Sequence, residues 1–131
     1  MMKKFFIIVF LLGALSITGC RYNFIVPEEV PVIDPDDPSQ EVLFSEDILP
    51  IFTNNNNCTS CHKTGGQMPD LTAGNAYSAI NSSRYINPDS PDQSRIYTVA
   101  HPDNEGHSQK KYTATEAALV LAWIQQGAEN N

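Results

Sequence analysis

Cysteine is scarce in this 131-residue chain. There are three, Cys20, Cys58 and Cys61, and no second pair stands beside Cys58 and Cys61 to complete a four-thiolate zinc site. Methionine is equally sparse: Met1, Met2 and Met68 are all there are, so no thioether follows position 68. Lys and Arg number 8 against 15 Asp and Glu, with at most two cations adjacent. That argues against a nucleic-acid partner, whose phosphate backbone demands clustered Lys and Arg. The longest apolar run, Phe5 to Leu15, falls below the roughly 20 residues of a membrane-spanning helix, and no comparable run follows it. No internal repeat is visible.

Against those absences stands Cys58-Thr59-Ser60-Cys61-His62. Two thiols three positions apart, followed at once by an imidazole, have the spacing of a c-type haem attachment site. Each thiol can add across one vinyl group of a porphyrin, and His62 then sits as proximal ligand to the iron. Other readings compete. A redox dithiol needs a strand before the motif and an α/β sheet around it, whereas Asn54-Asn55-Asn56-Asn57 precede it after a helical-looking segment. Zinc would need Cys58, Cys61 and distant ligands, with His62 awkwardly close. A Cys58–Cys61 disulfide would close a loop too small to restrain much of the unfolded chain.

The first residues read as an export signal. Lys3 and Lys4 form a basic start, the apolar run follows, and Ile17-Thr18-Gly19-Cys20 closes it with small residues before a cysteine. This resembles a bacterial lipoprotein signal, which implies a signal peptide over 1–19 and lipidation of Cys20 as the first mature residue. An uncleaved anchor with a free thiol is the plainer alternative. Arg21 in place of an aspartate at the second mature position favours an outer-membrane anchor facing the periplasm or the cell surface, with the inner membrane as the alternative.

Residues 20–43 read as a tether. Pro27, Pro31, Pro35 and Pro38 recur among Glu28, Glu29, Asp34, Asp36, Asp37 and Glu41, so the segment cannot sustain a helix, has little to bury, and is expected to be extended and disordered. Most of the acidity lies here: residues 20–47 carry 8 acids against Arg21, and 48–131 carry 7 against 5 cations.

The remainder, 44–131, is expected to be one small all-α domain, of a size that generally benefits from a bound group to complete its core. Phe44 and Ser45 read as a hydrophobic staple and an N-cap for a helix bearing Ile48, Leu49, Ile51 and Phe52, with Pro50 ending or bending it. Gly65 and Gly66 favour a tight loop after His62. Pro69 can offer its carbonyl to the second ring nitrogen of His62, the usual means of fixing a ligating imidazole. Short helices are expected over 73–82, after Thr72, and over 92–99. Thr113 and Glu116 form a capping box for a final helix bearing Ala117, Val120, Leu121 and Ile124, with Gly127 as its stop. Phe52 and Trp123 read first as core, with an approach to the haem as the alternative.

Taken together, 44–131 resembles a small single-haem cytochrome c domain of the kind carried by Bacteroidetes-like lipoproteins. The likeness rests on the Cys58-to-His62 motif, the loop to Pro69-Asp70-Leu71, Ser94-Arg95-Ile96-Tyr97, the Tyr112-to-Glu116 opening and the Trp123-to-Ala128 close. It implies a cytochrome c fold in which the first and last helices cross, one covalent haem c, and a distal ligand from the loop before the last helix. Family members commonly place a methionine there. This chain instead has His101-Pro102-Asp103-Asn104-Glu105-Gly106-His107, and His107 is the better-placed ligand, with His101, Met68 and an open iron as alternatives. Two imidazoles, at His62 and His107, would lower the reduction potential relative to a His/Met pair.

The expectation is a tethered electron carrier, not an enzyme, serving a redox protein or a membrane electron-transfer complex. The alternative is a haem enzyme or sensor for peroxide or a small gas, with a labile or absent distal ligand. Arg84, Lys110 and Lys111 are candidate contacts for haem carboxylates or a partner, beside the plainer reading as solvated surface.

Overall fold

The computed structural model describes residues 29–107 and 109–131; the signal segment, Cys20 and the start of the tether lie outside them. The described residues form helices and turns without a strand. Among them no helix is long and apolar enough to cross a membrane.

The longest helix, which we number α4 (Ala114–Gln125), starts where the sequence says it should. Thr113 Oγ1 accepts from the Glu116 amide at 3.1 Å, and a Glu116 carboxylate oxygen accepts from the Thr113 amide at 2.7 Å. Two amides without helical partners are thereby satisfied. Ala117, Val120, Trp123 and Ile124 are buried, while Leu121 is half-buried. Gly127 has φ +105°, a left-handed conformation that suits glycine at a helix stop.

The N-terminal helical segment packs against α4, and its start differs from expectation. A π-helical turn, Phe44–Ile48, runs directly into α1 (Leu49–Thr53). Ser45 does not cap it: the N-cap is Leu43, whose amide donates to Asp47 Oδ2 at 2.8 Å. Asp47 reaches back to the N-cap residue's own amide, and the N-cap side chain makes no bond to the amides of the first turn. Pro50, with no N–H to give, falls in the first turn of α1, where none is required. Phe44 stands edge-on to Tyr77 (5.2 Å between centroids) and tilted on Trp123 (5.4 Å), so it belongs to the core.

The two middle helices are shorter than expected. Helix α2 (Ala76–Ile80) begins three residues late, because Asp70, Thr72 and Asn75 hold the preceding backbone in turns. The 92–99 segment divides into a 3₁₀ turn, Pro91–Gln93, and α3 (Arg95–Thr98), split at buried Ser94, whose hydroxyl accepts from the Asn87 amide at 2.9 Å.

The expectation of a disordered tether up to residue 43 is corrected at its end. Val42 is buried; its amide donates to Gln126 Oε1 at 2.8 Å, and Gln126 Nε2 donates to the Gln40 carbonyl at 3.0 Å. Phe44 N in turn donates to Asn131 Oδ1 at 2.8 Å. The side-chain amides that dock this strap lie more than eighty positions away, so local composition could not reveal them.

Candidate cofactor site

The Asn run ends α1 abruptly. Asn55 and Asn56 take φ of +53° and +54°, the left-handed region that Asn tolerates better than most residues, and the reversal delivers Cys58 beside α1. The Cys58 amide donates to the Phe52 carbonyl at 3.0 Å. His62 N then donates to the Cys58 carbonyl at 2.8 Å, so residues 58–62 make one helical turn. That turn brings Cys58, Cys61 and His62 to the wall of one cavity of about 560 Å³, within the roughly 300–1,000 Å³ usual for small-molecule and cofactor sites.

The loop after His62 folds back under it. Gly66 passes so close to the Cys61 carbonyl that a Cβ there would lie 2.4 Å from the oxygen. The Gln67 amide donates to the same carbonyl at 2.9 Å, and the Leu71 amide to that of His62 at 3.0 Å. Asp70 fastens the loop, accepting at 2.6 Å from both the Thr64 and the Thr72 hydroxyl and at 3.0 Å from Asn75 Nδ2. The Thr64 and Thr72 hydrogen bonds hold its carboxyl down to about 2. Buried Pro69 is thereby placed with its carbonyl 3.1 Å from His62 Nδ1. A carbonyl can only accept, so Nδ1 carries the proton and the Nε2 lone pair is left free for a metal.

Across the cavity stands His107. Its ring centroid is 6.4 Å from that of His62, with the planes 19° from parallel. His107 Nδ1 is buried without a hydrogen-bond partner. His101, by contrast, is absent from the cavity wall: Tyr97 lies edge-on to its ring at 5.0 Å, and its Nδ1 accepts from the Asp103 amide at 3.3 Å. Met68 reaches the cavity rim but is 68% exposed.

No family model matches this chain, and neither curated proteins nor solved structures supply a match. The chemistry must be read from the site itself.

Two thiols and two imidazoles meet at one apolar hollow. Burial pushes the Cys58 thiol up to about 11, the opposite of the lowering that activates a redox dithiol. Among the described residues no three His, Cys, Asp or Glu side chains gather as a ready-made cage for a metal ion. The arrangement could hold a larger group that meets both thiols and both rings.

Sequence reasoning missed most of the remaining wall. Tyr85, Ile96 and Tyr112 line it and are buried, and the Tyr112 hydroxyl donates to the Ile96 carbonyl at 2.9 Å. Of the cations expected near the site only Lys110 lines it; Arg95, part of the Ser94-to-Tyr97 stretch but not among the expected cation contacts, joins it from α3, while Arg84 and Lys111 do not. Phe52 and Trp123 are core residues away from the cavity wall. The apolar wall residues look like any core residues in the sequence; only the loop between His101 and Lys111 hints that a wall must form there.

Proposed function

We propose that this chain is a lipid-tethered, single-haem c-type cytochrome whose domain has the cytochrome c fold and whose work is electron transfer. The observation that carries the reading is the meeting of Cys58, Cys61 and His62 with His107 at one cavity, the two imidazoles 6.4 Å apart. Metal–imidazole bonds of about 2.0–2.1 Å, with each ring centre about 1.1 Å behind its nitrogen given C–N bonds near 1.33 Å, call for a separation of about 6 Å. The cavity's size fits the same group, and its charged wall residues, Arg95 and Lys110, suit the carboxylates that a haem carries.

In this reading Cys58 and Cys61 hold the haem by thioether bonds, each S–H adding across one vinyl group. His62 and His107 would supply the imidazoles that ligate its iron. Pro69 fixes the His62 tautomer, and His107 has a buried Nδ1 that finds no hydrogen-bond partner among the described residues. The haem supplies one-electron redox chemistry, at a potential set by axial ligands, burial and hydrogen bonding. With both axial positions taken by the protein, no substrate need reach the metal, and a redox protein or membrane electron-transfer complex is the partner. Lipidation of Cys20 and anchoring at the outer membrane complete the proposal, since a tethered domain keeps a high local concentration near its partners.

Expression with a haem-attachment apparatus, followed by acid-acetone extraction, tests it. The chain is expected to retain its haem, with an alkaline pyridine spectrum of the two-thioether type. Complete loss of haem from properly exported protein would exclude the assignment.

A further inference from the structure

We infer that Asn104 is a positioning residue that clamps the segment bearing His107 to the end of α3 and so sets how firmly the distal imidazole is held. The inference rests on the reading of His107 as an axial ligand. Between α3 and α4 the chain has little regular structure, and His107 is only half-buried, so something other than a helix must fix its place.

Asn104 uses both ends of its amide for this. Its Nδ2 donates to the Thr98 carbonyl at 2.9 Å and to the Val99 carbonyl at 3.1 Å, both at the end of α3, where carbonyls have no helical partner. Its Oδ1 accepts from the Gly106 amide at 2.8 Å, one residue before His107. Its own amide donates to the His101 carbonyl at 3.0 Å. One side chain thus joins the last turn of α3, whose neighbours Val99 and Ala100 line the cavity, to the residue next to the distal ring.

Nearby bonds close the segment but do not reach Gly106. Lys111 Nζ donates to the Pro102 carbonyl at 3.1 Å, and the Tyr112 amide to that of Ala100 at 2.8 Å. Asp cannot replace Asn104, since a carboxylate has no N–H for the two carbonyls. Gly106 is matched to the clamp as well: a Cβ there would lie 3.1 Å from Asn104 Oδ1.

The test is stopped-flow mixing of the ferric, haem-loaded full chain with cyanide, which can bind only when the distal imidazole leaves. Asn104→Ala is expected to bind cyanide about tenfold faster than the unaltered protein, as loss of two or three hydrogen bonds allows. Gly106→Ala, which presses on the same bond from the other side, is expected to move the rate in the same direction. It carries the test if Asn104→Ala fails to fold. Thr113→Ala, which breaks the cap of α4 away from the cavity wall, is expected to leave the rate unchanged, and His107→Ala to bind cyanide fastest of all.

Wild-type rates in both Asn104→Ala and Gly106→Ala beside a fast His107→Ala would overturn the clamp and leave the distal ligand standing. Equal acceleration by Thr113→Ala would reduce Asn104 to a general stability role and overturn it too. A wild-type rate in His107→Ala would remove the distal-ligand reading and the clamp with it.

Discussion

The imidazoles of His62 and His107 line a shared cavity with centroids 6.4 Å apart and planes 19° from parallel, although one belongs to a helical turn and the other to a loop of turns between α3 and α4. The first ring is oriented by the Pro69 carbonyl and the second by the segment that Asn104 fastens. In the proposed reading, that separation of two rings held by independent loops suits a metal ligated by both.

If both rings ligate, the haem is low spin in both oxidation states and lacks the weak sulfur-to-iron band of a Met-ligated ferric centre. His107→Ala is expected to give a high-spin or water-ligated ferric haem that binds carbon monoxide when reduced, with covalent attachment intact. His101→Ala is expected to leave the spectrum unchanged, because His101 is engaged with Tyr97 and Asp103 outside the cavity wall. Magnetic resonance of the unaltered ferric protein decides the matter; distal ligation by Met68, or by nothing from the chain, would shift the reading toward a haem enzyme or sensor.

Asp70 makes the proximal loop sensitive to acid. Its carboxyl is held at about 2 by the Thr64 and Thr72 hydroxyls, against about 3.9 in an unfolded chain. A folded value below the unfolded one contributes stability that is fully present above about pH 4 and lost as pH falls through about 2. Thermal unfolding followed across that window is expected to show a decline that Asp70→Asn removes. The group is only half-buried, so water screens it and the effect is expected to be modest.

Core and cap changes separate stability from redox function. Trp123 is 1% exposed, with its Nε1 donating to the Glu129 carbonyl at 2.9 Å. Trp123→Ala is expected to cost about 3–5 kcal/mol, and Thr113→Ala, which breaks the capping box, about 1 kcal/mol. Denaturant unfolding measures both. Because neither side chain lines the cavity, molecules that remain folded are expected to keep an unaltered haem spectrum.

Anchoring is checked by fractionation. Cys20→Ala is expected to move the haem domain to the soluble fraction with its spectrum unchanged. Retention in membranes after a high-salt wash would point to an uncleaved signal helix or a separate membrane contact.

The sequence alone determined whatever is set by neighbours along the chain. The capping box of Thr113 and Glu116, the buried stripe of α4, the stop at Gly127 and the contact between Pro69 and His62 are all local, fixed by backbone geometry within a few residues. The cysteine spacing is local too, since one helical turn carries Cys58, Cys61 and His62 to the same wall. Tertiary structure decided the rest. That Gln126 and Asn131 dock the end of the tether and that Arg95 and not Arg84 reaches the cavity depend on segments meeting in space. His107 was favoured over His101 by its place before α4, but which ring faces the cavity was decided by contacts across the loop, where Tyr97 and Asp103 engage His101, for a loop without periodicity carries no signal of which way its side chains will face.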